Sequence, residues 1–156
     1  MDEQLTEEQT QQSIEDTLTA QRAVWVDEIT KLNEGMKSMP KLDELLNSVY
    51  ITRQKAVDYY YAMNGIILKH TKEYKKLYND MFNAIKVNGY NGIRFNTDQA
   101  ITRQIETDLQ DRKEVIDMLT NHNNFMKETI QTIDNIIYGV NQKVKIHALL
   151  NGINTI

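Results

Sequence analysis

Apolar residues along this chain recur at steps of three and four, in three long runs parted by two interruptions. The first run is Ile14, Leu18, Trp25, Ile29, Leu32 and Met36, a narrow stripe that predicts a helix over about 6–36. Thr6, with Gln9 three residues on, predicts a capping box at its start. Gly35 and Pro40 then interrupt, because proline cannot donate inside a helix and disfavours helical geometry at the residue before it. The second run is the most sustained. Leu42, Leu46, Val49, Arg53, Ala56, Tyr60, Met63, Ile67, His70, Tyr74, Leu77, Met81 and Ile85 step by four and three with one late slip. This heptad seam of about six repeats predicts a helix over about 41–87, roughly 65 Å long, which must pack lengthwise against something. Gly65, inside the pattern, costs about 1 kcal/mol relative to alanine and allows a local bend.

Residues 88–98 read NGYNGIRFNTD, with two Asn-Gly turn dipeptides and three helix-capping residues at the end, so a loop or short hairpin is expected. The third run is Ile101, Ile105, Leu109, Arg112, Ile116, Leu119, Asn123, Met126, Ile130, Ile133, Ile137, Val140 and Val144, with one early shift. It predicts a helix over about 97–141, followed by a short helix over 142–151 with an apolar cluster at Ile146, Leu149, Leu150 and Ile153. The fold expected is all-α: two long helices in an antiparallel, coiled-coil-like hairpin, with an N-terminal helix alongside and a short C-terminal one. Seams of this length predict an oligomer. Arg53, Arg112 and Asn123 fall on the seams, where a polar residue either fixes register or marks a solvent-open stretch.

Composition narrows the picture. A chain of 156 residues with 40% apolar content and one proline suits one helical domain, placed at 25–156 behind an acidic arm or helix start at 1–24. There is no cysteine, hence no disulfide or thiolate metal site, and a cytoplasmic setting is expected. The acidic first residues do not resemble a signal peptide, and no apolar run is long enough to span a bilayer. Residues 1–28 carry eight acids against Arg22; the chain's net −4 therefore leaves +3 for residues 29–156. The acidic stretch reads as a solubilising arm or as a contact for a basic partner.

Enzyme chemistry finds little support in the residues. His70, His122 and His147 are far apart, no Glu-x-x-His pair occurs, and the glycine-bearing loop lacks the Lys-Ser/Thr of a phosphate cradle. No catalytic residue, metal or cofactor is expected. The stretch that carries chemistry is basic and aromatic: Lys69, Lys72, Lys75, Lys76 and Lys86 against Glu73 and Asp80, interleaved with Tyr59, Tyr61, Tyr74, Tyr78 and Phe82. Lysines attract phosphate in a salt-dependent way and aromatic rings stack bases without reading sequence. A solvated helix face is the plain alternative, and Tyr60 and Tyr74 fall on the seam.

In order of features the chain resembles the UvsY family of tailed-phage recombination mediators. The resemblance covers about residues 25–152. It rests on Met39-Pro40-Lys41-Leu42 entering a long helix, on Lys72-Glu73-Tyr74-Lys75-Lys76-Leu77-Tyr78, on the glycine-bearing loop, and on a last helix reading Leu109 to Ile137, then Asn141-Gln142-Lys143-Val144-Lys145-Ile146 and Gly152. It implies a ring-forming homo-oligomer without an active site, in the host cytoplasm if phage-encoded. Such a ring binds single-stranded DNA, loosens single-strand-binding protein from it and loads a RecA-like recombinase. In the family the DNA patch is a Lys and an Arg before a tyrosine pair; here Lys75 and Lys76 match, with Tyr78 in the arginine's place and Met81-Phe82 in the tyrosines'. The residues assigned to DNA are thus Lys69, Lys72, Lys75 and Lys76 as phosphate contacts and Tyr78 as a stacking surface, with Lys86 and Arg94 by the loop and Lys143 and Lys145 in the tail as further candidates. The alternative function is a non-enzymatic helical scaffold or assembly chaperone, such as a phage assembly factor or a prefoldin-like subunit, which needs no lysine patch.

Overall fold

The computed structural model describes residues 2–38, 40 and 42–152, with side chains from Gln11 onward except that of Asp43. Met39 and Lys41 of the family-like entry, and Ile153 of the tail cluster, lie outside the described residues. The fold is all-α, with four helices among the described residues: α1 (Asp2–Gly35), α2 (Leu42–Asn88), α3 (Asp98–Asp108) and α4 (Gln110–Leu150). No helix among the described residues is long and apolar enough to cross a membrane.

Several boundaries differ from the sequence expectation. Helix α1 is already helical at Asp2, so Thr6 does not begin it; the early residues are mostly straight-chain helix formers. Its last turn tightens, with Lys37 N donating to Glu34 O at 3.0 Å and Ser38 N to Gly35 O at 3.2 Å. Helical structure does not run unbroken over 97–141. It breaks at Leu109 (φ −104, ψ 11) and then continues to Leu150, so there is no separate helix over 142–151. Neither glycine nor proline marks that break, but the seam slips there, from Ile101 to Ile105 to Leu109 in two successive steps of four.

The Asn-Gly text does form a hairpin. Tyr90 N donates to Ile93 O at 2.8 Å and Ile93 N to Tyr90 O at 2.9 Å around Asn91 (φ 49) and Gly92 (φ 80), the two positive φ values of a type I′ turn. Just before it, Gly89 (φ 76) ends α2, its N donating to Ile85 O at 2.8 Å; a Cβ there would lie 2.6 Å from Ile93 O, so only glycine fits. Thr97 caps α3, its hydroxyl accepting from Ala100 N at 3.2 Å.

The chain divides into two compact units. The first combines Met1–Thr17 with Met63–Asn121, the second Leu18–Ala62 with His122–Ile156. The first unit's core is Ile85, Ile101, Ile105 and Leu109, with Tyr74, Leu77, Tyr78, Met81, Phe82, Tyr90 and Phe95 packed against it. The second unit's core draws Trp25 and Leu32 from α1, Val49 and Ala56 from α2, and Met126, Ile133 and Val140 from α4. Within it, Arg53 and Asp134 form a two-pronged ion pair linking α2 to α4. Lys143 Nζ of α4 donates to Met36 O at 2.6 Å, supplying to the C-terminal end of α1 the cation that α1's own last turn lacks.

Candidate nucleic-acid interface

The first unit presents a basic face on α2. Steps of three and four place Lys69, Lys72 and Lys76 on one side of the helix, away from the Tyr74, Leu77, Met81 seam, with Lys75 at its border. All four lysines are exposed, and none forms an ion pair among the described residues. Glu73 and Asp80, also exposed, leave a local surplus of two positive charges. Lys69–Lys72, Lys72–Lys75 and Lys72–Lys76 are like-charged neighbours at helical spacing, each costing a few tenths of a kcal/mol that a bound anion would relieve. Ile66 and Leu68 lie exposed beside them, apolar surface that sequence reasoning did not single out.

The other assigned residues are in different situations. Tyr78 is half-buried against the core of α2 and α3, its hydroxyl donates to Thr102 Oγ1 at 3.1 Å, and its ring centroid is 6.4 Å from that of Tyr74. It is committed to packing, not offered as a free stacking surface; Tyr74 and Phe82 are likewise turned to the core, and Tyr59 is packed in the second unit. Lys86 forms an exposed ion pair with Asp98 at 3.2 Å and lies 5.5 Å from the Phe82 ring centroid, so its charge is partly offset within the protein. Arg94 is exposed and lines, with Lys86 and Asp98, a cleft of about 190 Å³ between the end of α2 and the start of α3. The Asp108 carboxylate pushes the Tyr90 phenol up from its ordinary value, and desolvation adds to the effect. Of the tail candidates, Lys145 is exposed, whereas Lys143 is engaged with Met36 O.

The second unit holds a buried polar cluster that sequence reasoning missed. His122 is fully buried, with Nε2 3.0 Å from the Tyr59 hydroxyl and Nδ1 without a partner among the described residues. Burial pushes the imidazole down from its ordinary value, and Arg22 adds to the effect; burial pushes the Tyr59 phenol up. Arg22 has its guanidinium carbon 5.6 Å from the Phe125 ring centroid, and its buried Nε likewise has no partner among the described residues. A histidine in a helical text gives no signal of this, because α1, α2 and α4 each supply one side of the cluster.

Among the described residues, the members of the expected apolar cluster of the tail do not pack together. Ile146, Leu149 and Leu150 are 55%, 69% and 81% exposed, because the buried stripe of α4 continues from Val140 to Ala148 and leaves those three on other sides of the helix.

Compared with known proteins, the chain matches no family model, no curated protein and no solved structure.

Proposed function

We propose that this chain is a non-catalytic recombination mediator: a homo-oligomer, ring-forming by the resemblance, that binds single-stranded DNA and helps a RecA-like recombinase replace single-strand-binding protein. The observation that carries the reading is the set of four exposed lysines on one side of α2, unpaired among the described residues. One such patch is weak, since exposed charges are screened over about 8 Å at physiological salt. Repetition around an oligomer turns weak patches into avid binding with no new chemistry in any one subunit. Phosphate attraction from Lys69, Lys72, Lys75 and Lys76 then supplies affinity, and Ile66 and Leu68 offer apolar surface to unstacked bases.

A helical scaffold or assembly chaperone is the competing function, favoured by the exposed Tyr138, Ile146, Leu149 and Leu150 on the last part of α4. Titration of a fluorescent oligo(dT) at two salt concentrations, with sedimentation of the same samples, separates the two. A mediator binds at low salt, weakens steeply as salt rises, and sediments as an oligomer. Absence of binding at low salt would favour the scaffold, and a concentration-independent monomer would remove the avidity on which the mediator depends.

A further inference from the structure

Four Asn-Gly pairs occur in the chain: Asn64-Gly65, Asn88-Gly89, Asn91-Gly92 and Asn151-Gly152. Such pairs are chemically labile because the glycine nitrogen, unhindered by a Cβ, can attack the preceding side-chain amide. A bond forms between that nitrogen and Cγ of the asparagine, the Cγ–NH2 bond breaks, and ammonia leaves with the proton given up by the peptide nitrogen. Water then opens the cyclic imide at either carbonyl, yielding aspartate or isoaspartate. One water is consumed and one ammonia released, with no other reactant. The step requires a glycine N–H that is not hydrogen-bonded and a side chain free to fold back onto it.

Three of the four pairs fail that requirement. Gly65 lies in the interior of α2, its N–H in the helical ladder. Gly89 N donates to Ile85 O at 2.8 Å. Gly152 N donates to Leu149 O at 3.2 Å, and the Asn151 side-chain amide is bound to His147 O at 2.9 Å. At Asn91-Gly92 both residues are exposed at the tip of the turn, and neither the Gly92 N–H nor the Asn91 side chain has a hydrogen-bond partner among the described residues.

We propose that Asn91 is a site of spontaneous modification, converting through Gly92 to aspartate and isoaspartate ahead of the other three asparagines. The new carboxylate adds a negative charge three residues from Arg94. Isoaspartate also inserts a methylene into a turn closed by the two Tyr90–Ile93 hydrogen bonds, and Tyr90 and Phe95 of this loop pack on Ile85, Ile101, Ile105 and Leu109. The modification therefore loosens the loop from the first unit's core as the protein ages. None of this depends on the DNA-binding function.

The test is incubation of the native protein in mildly alkaline buffer, separation of charge variants, and peptide mapping by mass spectrometry. An acidic species should accumulate several-fold faster at residue 91 than at any other asparagine, with the mass gain of an NH2 replaced by OH. The chain held in denaturant should instead modify all four pairs at comparable rates. Asn91→Gly, which leaves a Gly-Gly pair suited to the same turn, should lose the fast acidic species. First modification at Asn64, Asn88 or Asn151, or no change at residue 91 while the denatured chain converts, overturns the proposal; the wild-type map alone decides this even if the variant does not fold.

Discussion

At His122 a single proton decides a packing arrangement. In either neutral tautomer the ring shares one hydrogen bond with Tyr59 and leaves Nδ1 unmatched; protonation would place a charge there, fully buried and beside Arg22. The folded state thus holds this imidazole below its ordinary value of 6.5, which the unfolded chain restores. The unfolded state then binds the proton more readily, so the contribution to stability is complete above pH 6.5 and is lost as pH falls through the folded-state value. Urea unfolding should show stability declining below pH 6.5 by at most about 1.4 kcal/mol per pH unit from this group. An NMR titration in which His122 charges at or above 6.5 would contradict the assignment. Gly65 makes the opposite case. The helical run passes through it, the residue is exposed, and an added Cβ would meet nothing within 4 Å. Gly65→Ala should therefore raise stability by about 0.5–1 kcal/mol, read as a higher urea midpoint at unchanged slope.

At the scale of the helices, the three polar seam residues meet three different fates. Arg53 finds Asp134 across from α2 to α4, Asn123 is buried, and Arg112 is exposed. Their spacing is the same signal in each case; only the neighbouring helix distinguishes register device from open stretch. The apolar seam positions were fully legible by comparison. Every one of them on α2 from Leu42 to Ile85 is buried or half-buried, as are those on α4 from Ile116 to Val144. Ile133 is completely buried among residues of the second unit. Replacing it with aspartate sets a carboxylate without a partner into apolar surroundings, and the expected loss is several kcal/mol. Circular dichroism should show partial or complete unfolding; a wild-type melting temperature would mean that α4 buries a different face.

For the whole molecule, the question of function turns on charge. Lys75 and Lys76 are exposed and form no ion pair among the described residues, so changing both to alanine removes no packing and opens no cavity. The double variant should keep its fold while binding oligo(dT) more weakly, with the log–log salt slope reduced by about 0.7 for each phosphate that is no longer neutralised. Unchanged affinity and slope would reduce the patch to a solvated helix face and turn attention to Arg94 and Lys145. What the sequence determined by itself is local and periodic: helix as the only regular structure of consequence, the buried stripe of each helix, the break before Pro40, and the turn at Asn91-Gly92. Each follows from spacing or from the steric demands of one or two residues. Tertiary structure alone decided which distant segments share a core, 1–17 with 63–121 and 18–62 with 122–156. It also decided that Tyr78 is engaged with Thr102, Lys86 with Asp98 and Lys143 with Met36 O. A side chain's chemistry is written in the sequence, but whether it remains available depends on the partner that another helix brings to it.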